Sequence, residues 1–423
     1  MLRRIAATFG FRVVIALLNL LVVVLLSQWI GAEGRGQASL VLATVTIVCM
    51  VCAVVGGATL VYLVPRSNVG QLLLLSHLWS AVVCGGAYGV LRAVPLIDAW
   101  MVPHVAAIAF LSAVFSTHLT MLLGRDRVMA NNLMGLVQVV VLLIGFVLMF
   151  LVAGRRDVMA YVAALYAAYG TGAVASLLLL RPGLRTGGLH GIGRLAGDAF
   201  RLGAVNMAGT VLQLVSLRVG YYLLSHRVDD AAVGVYANGV SLVESVWLIS
   251  NSMAMVQYAA IANSGDDARN RRLTLSLVKL SLVMTLVALA VLAMVPSAFF
   301  TRLFGRDFSA VGDAIVVLAP GALMYTLLLV VGHYFSGTGR YHVNTLANLA
   351  GLLVTAALTW AFLPQYDMRT AGAILSASLS TTGLFVLWWF LRAPGMHLRD
   401  LLPTAADRER LRGLLARFTR ADR

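Results

Sequence analysis

The chain is poor in acid, in lysine and in cysteine. Asp and Glu number 17 in 423 residues against 32 Lys and Arg, and Lys279 is the only lysine. Charged residues of both signs reach only 12%, while 60% of the chain is hydrophobic. That balance excludes a soluble globular protein, because a single core stops growing at roughly 250–300 residues. The three cysteines, Cys49, Cys52 and Cys84, all lie in apolar runs with no His or carboxylate beside them. A metal site needs more ligands than that, so they are expected to be buried, inert thiols.

What is abundant is long apolar sequence. Twelve runs exceed the ~20 residues needed to cross a ~30 Å hydrocarbon layer. They lie near 8–30, 38–64, 70–93, 102–124, 130–153, 157–181, 202–225, 232–262, 271–298, 309–336, 341–363 and 369–392. The expected fold is an all-α polytopic membrane protein of about twelve transmembrane helices. The basic N-terminus imitates a secretion signal, but its apolar stretch is too long and lacks a small-residue cleavage site, so it is taken as a retained first helix. The longest connection, rich in Gly and Arg, divides the chain into a first lobe at 1–181, a linker at 182–201 and a second lobe at 202–392. The tail, 393–423, places Leu411, Leu414, Leu415 and Phe418 on one helical face among arginines. Such a helix is expected either to lie on anionic lipid or simply to be solvated. Arginines crowd the loops on the N-terminal side, Arg155–Arg156 excepted, which puts both termini in the cytoplasm. Arg35, in the turn between the first two spans, falls on the opposite side. The dispersal of basic residues along the membrane margins speaks against nucleic acid as the partner of a net charge of +15.

Two stretches repeat. LLSQWIGAEGRGQAS from Leu25 aligns without a gap with LLSHRVDDAAVGVYA from Leu223, pairing Ser27 with Ser225 and Gly36 with Gly234. LGRDRVMANNL from Leu123 aligns with SGTGRYHVNTL from Ser336, pairing Gly124 with Gly337, Arg127 with Arg340 and Asn131 with Asn344. Each pair occupies the same inter-helical turn of its half. Six spans per half make a parallel repeat, a plan that places a transport site between halves. Gly36 and Gly234 should sit where helices approach too closely for a side chain.

Ionisable residues within the spans are few, and each costs free energy unless it faces water or a partner. Arg218 in span seven lies too deep to snorkel easily. It suits contact with a phosphate-bearing substrate, or an ion pair with Glu244 in span eight, or packing alone. Arg12 and Asn19, on one face of span one, suit either a cavity wall or snorkelling. Asn206 and Gln213 mark one face of span seven, and Asn238 and Ser241 one face of span eight beside Glu244. They line a wet lumen or bond helices together. Lys279 is close enough to an end to snorkel. His77, His118 and His333 are expected to be isolated, satisfied core histidines.

The ordered set WIGAEGRGQASLVLA, GGATLVYLVPR, VGVYANGVSLVE, LFGRDFSAVGDAIVVLAPG, YFSGTGRYHVNTLANL and RTAGAILSASLS resembles Wzx-type polysaccharide flippases of the multidrug/oligosaccharidyl-lipid/polysaccharide exporter superfamily. The resemblance spans nearly the whole chain. It implies two six-helix lobes in a MATE-like V, and a central cavity lined mainly by helices one, two, seven and eight. It implies an undecaprenyl-pyrophosphate-linked oligosaccharide as cargo and the bacterial inner membrane as location. A polysaccharide polymerase or export machinery would then be a further partner. No cofactor, metal or catalytic residue is assigned, and coupling to H+, Na+ or membrane potential stays open, with Glu244 the coupling candidate. A cation-coupled drug exporter shares the twelve-helix plan but wants acidic lobes, and here the deep charges are mostly arginines. A lipid II flippase would ordinarily carry two extra helices. An enzyme acting on lipid-linked sugars needs a larger outer loop than any present.

Overall fold

The computed structural model describes residues 2–181, 191–392 and 398–401, with the side chains of residues 2–7, 9, 206, 259, 262 and 398 left aside. Most of the tail and residues 182–190 of the inter-lobe connection lie outside the described residues. Every described element is helical, as hydrocarbon demands of backbone that must satisfy its own hydrogen bonds. The helices are α1 (Leu2–Gly56), α2 (Thr59–Leu63), α3 (Val69–Ala93), α4 (Met101–Gly124), α5 (Val128–Leu151), α6 (Val158–Leu180), α7 (Ile192–Arg227), α8 (Asp230–Ala262), α9 (Asp267–Ala293), α10 (Ser297–Phe304), α11 (Val311–Gly337), α12 (Tyr341–Phe362) and α13 (Met368–Leu391). Eleven stretches are long and apolar enough to cross a membrane.

The first of those stretches is really two. At ~1.5 Å per residue, the 55 residues of α1 would reach about 80 Å. The helix is interrupted at Gly31 (φ 75°, ψ −173°), a left-handed position that a residue without a Cβ takes freely. Two spans joined at one residue bring the total to the expected twelve. The loop expected between residues 30 and 38 does not exist. Glu33, Arg35 and Gln37 make the stretch polar, so hydropathy reads a loop where the chain re-enters a helix at once. Likewise α7 begins at Ile192, so the second half of the expected linker is helical.

The chain packs as two compact units. The first comprises residues 1–238 with 296–311 and 364–371, so it takes in α7 and the opening turns of α8. Trp29 stacks on Phe150 with ring centroids 4.4 Å apart. The segment after α9 also belongs here: Phe300, Phe304 and Phe308 are fully buried, and Gln28 Nε2 donates to the Leu303 carbonyl at 2.9 Å. The second unit comprises residues 239–295, 312–363 and 372–423. In it Trp247 Nε1 donates to the Ala322 carbonyl at 3.1 Å, and buried hydroxyls of Ser250, Thr285 and Thr326 share hydrogen bonds.

The repeated turns adopt one geometry. In the first unit the Arg127 N–H bonds the Leu122 carbonyl and the Asp126 N–H bonds that of Leu123; in the second, Arg340 bonds Phe335 and Gly339 bonds Ser336. Asp126 and Gly339 share a left-handed φ, 57° and 76°. A Cβ on Gly124 would press on Val64, and one on Gly337 on Ile261, each near the end of the second helix of its half. The first repeat behaves as its glycines suggest. A Cβ built on Gly36 would lie 1.7 Å from the Asp230 carbonyl oxygen, and one on Gly234 would lie 2.0 Å from that of Ala32. The two glycines are each other's neighbours.

Candidate anion site

The break at Gly31 brings the two stretches of α1 on either side of it onto one partner. Ser27 lies in the last turn of the first stretch, Arg35 in the first turn of the second, and both bond Asn238 on α8. Arg35 Nε donates to Asn238 Oδ1 at 2.8 Å, and Asn238 Nδ2 donates to Ser27 Oγ at 2.9 Å. Ser27 Oγ passes the chain on to the Val23 carbonyl at 2.8 Å. Arg35 Nη1 donates to Ser39 Oγ at 2.6 Å, one helical turn along. All of these residues lie in the first unit.

Arg35 is 4% exposed, and it is the only Arg, Lys, Asp or Glu among the described residues that is buried. Neutral groups hold it: among the described residues no carboxylate pairs with it. Arg218 and the phenols of Tyr221 and Tyr161 lie within its electrostatic reach. Arg218 is half-buried on α7, with Nη1 3.3 Å from Tyr221 Oη and its guanidinium over the Tyr221 ring at 5.4 Å. Tyr222, next along, shares a hydrogen bond of 2.8 Å with Thr44.

A buried ion carries an effective penalty of several kcal/mol, and a second like charge nearby adds to it. The Arg35 guanidinium, held by neutral polar groups with Arg218 within its electrostatic reach, offers fixed donors that match the oxygens of an oxyanion two at a time.

Sequence reasoning singled out Asn238 and Arg218 but placed Arg35 in a loop. A signal was present: Arg35 and Ser39 are spaced i, i+4, and Gly34 and Gly36 flank the arginine as small residues do where helices close on one another. The other candidates scatter. Arg12 and Asn19 are exposed on the first stretch of α1. Gln213 is half-buried on α7, and the Asn206 side chain lies outside the described residues. Ser241 and Glu244 belong to the second unit, where Glu244 acts electrostatically on buried Tyr325. The exposed hydroxyls of Ser245 and Ser252 turn back onto their own helix, to the carbonyls of Leu242 and Leu248. Among the described residues no group of three or more His, Cys, Asp or Glu could hold a metal. Cys52 and Cys84 are buried with sulfurs 4.0 Å apart.

No family profile and no curated protein sequence matches the chain. Solved structures do. Lipid II flippase MurJ in an inward closed conformation aligns with a TM-score of 0.72 at 11% identity, over 94% of this chain and 89% of its own. An inward-facing multidrug resistance MATE family transporter of the MOP superfamily aligns at 0.68 and 13% identity, over 89% of this chain and 93% of its own. A MATE transporter from Vibrio cholerae aligns at 0.59 and 11% identity, over 94% and 95%. At such identities what is shared is the fold: the chain is a polytopic helical membrane protein built on the plan of these transporters.

Proposed function

We propose that the protein is a flippase of the multidrug/oligosaccharidyl-lipid/polysaccharide superfamily that moves an undecaprenyl-pyrophosphate-linked oligosaccharide across the bacterial inner membrane. Its two six-helix lobes would work by alternating access, with Arg35 and Arg218 receiving the pyrophosphate. The observation that carries this reading is the buried Arg35, a cation without a carboxylate beside a second arginine. Pyrophosphate brings two to three negative charges, and attraction at ~4 Å is worth roughly 4 kcal/mol at an effective dielectric of 20. The same field repels cationic drugs, which disfavours the exporter that the fold alone would equally support.

The test is reconstitution into liposomes loaded with a polyprenyl-pyrophosphate oligosaccharide on one leaflet, read by the accessibility of the sugar to an oxidising enzyme on the other. Protein-dependent appearance of the sugar is expected, lost in Arg218→Ala and partly kept in Arg218→Lys. Export of a fluorescent cation such as ethidium, with no movement of the glycan lipid, would overturn the reading in favour of drug export. Movement of lipid II in preference to other glycan lipids would narrow the cargo to a peptidoglycan precursor.

A further inference from the structure

His77 and His118, 41 positions apart, are neighbours in the first unit, not isolated core residues. Their rings meet edge to face with centroids 5.2 Å apart. His118 is 1% exposed on α4, between α3 and α6. Its Nδ1 lies 2.9 Å from Ser176 Oγ and 3.2 Å from the Ala173 carbonyl on α6. A carbonyl only accepts, so Nδ1 carries the hydrogen. Nε2 of the neutral ring is then a lone pair. The Nε2 atoms of both His77 and His118 are buried without a hydrogen-bond partner, and so is Ser80 Oγ, one turn beyond His77 on α3. Three of the six such atoms among the described residues therefore fall on these two helices. Buried polar groups ordinarily find partners, and a cluster that does not is waiting for one.

We infer that His77 and His118 form a proton-binding site, the pair taking up one proton between their Nε2 atoms. The step is simple: one proton leaves a hydronium ion, giving water, and bonds to one Nε2 lone pair. That ring becomes imidazolium, and its new N–H donates to the Nε2 of the other ring. A bond of about 2.9 Å, added to two ring radii of roughly 1.1 Å, spans about 5 Å, so the rings need only turn. Among the described residues no other charge acts on the pair. Among the described side chains of the packed helices the ionisable groups are Arg12, Glu33, Arg35, Cys49 and Cys52 of α1, Tyr62 of α2, and Cys84, Tyr88 and Arg92 of α3. His104 of α4, Tyr161, Tyr166 and Tyr169 of α6, and Arg194, Asp198, Arg201, Arg218, Tyr221, Tyr222, His226 and Arg227 of α7 complete them, and α5 has none. Among all of these, the one acting electrostatically on His118 is His77. Loading the pair tightens α3 against α4, which gives the protein a means of sensing protons that uses no carboxylate.

The direct test is nuclear magnetic resonance of the full chain in nanodiscs, with its eight histidines labelled with 15N in the ring. Signals assigned by their loss in His77→Gln and His118→Asn should titrate together, taking up one proton between them as the pH is lowered. His118→Asn keeps an N–H at the position of Nδ1, and His77→Gln alters a half-buried ring, so at least one variant should fold. In the folded variant the remaining histidine should lose its wild-type transition. Two histidines that titrate independently, or not at all, would overturn the inference. This measurement needs no cargo, so it stands apart from the flippase assignment. The transport assay adds a second readout: the variants should lose the pH dependence of the wild type, and an unchanged profile in both would refute a role in transport.

Discussion

Replacing Arg35 with Gln should make the resting protein more stable while abolishing its transport. The guanidinium makes two hydrogen bonds to side chains, with Asn238 and Ser39. Ser39 Oγ also donates to the Arg35 carbonyl at 2.7 Å, and that bond survives the substitution. Asn238 keeps Ser27, and the Gln amide can donate to Asn238 in place of Nε. The net loss is about one charge-assisted bond, ~2 kcal/mol. Against it stands the penalty of burying an ion without a counter-ion, several kcal/mol, which vanishes with the charge. The expected balance is a gain of about 1–3 kcal/mol, read as a higher melting midpoint of purified protein in detergent without ligand. Inorganic pyrophosphate at about ten times its Kd should add roughly 1.4 kcal/mol to the wild type and nothing to the variant. A variant that melts lower than the wild type and still responds to pyrophosphate would show that Arg35 is a structural strut.

Three further outcomes are expected. Gly234→Ala, which drives a methyl to 2.0 Å from the Ala32 carbonyl oxygen, should cost at least 1–3 kcal/mol, and size-exclusion of a fluorescent fusion should show little folded protein. Asp367 accepts the Thr370 N–H at 2.7 Å at the start of α13, and that N–H, with the Thr370 hydroxyl, holds its carboxyl below the usual range. Asp367→Ala should cost ~1 kcal/mol and Asp367→Asn much less. Because the carboxyl's value is lowered on folding, its contribution is complete above the ordinary carboxylate range and fades as pH falls through the lowered value. Solvent at this exposed site keeps that pH-dependent part small, so melting at pH 7 and in acid should differ slightly between wild type and Asp367→Ala. Reporters fused after Arg127 and after Arg340 should read the same side of the membrane, the cytoplasm, and one after Asp230 the other; opposite readings at the two arginines would break the parallel repeat.

Hydropathy carries most of this fold because lipid leaves a long apolar run little choice but helix. What it loses is punctuation. In WIGAEGRGQ it marks a loop, since it weighs Glu33, Arg35 and Gln37 by polarity and cannot know that Asn238, more than 200 positions away, waits for the arginine. The repeat fared better, because Gly36, Gly234, Gly124 and Gly337 stand where backbones touch, and a steric demand on one residue leaves a mark in sequence. Side-chain partnerships leave none. His77 and His118 look solitary in sequence because their adjacency is made by two helices lying alongside each other.

The contact between Gly36 and Gly234 also carries history. A residue that meets its own copy across a repeat is what a two-fold dimer produces, since a patch on such an axis must be complementary to itself. A chain built this way looks like two identical subunits that once associated side by side and were later joined by duplication and fusion of their gene. Fusion freed the halves to differ in loops and charge. It did not free the two glycines: a larger residue on one side cannot be relieved by a smaller one on the other, because each already has no side chain to give up.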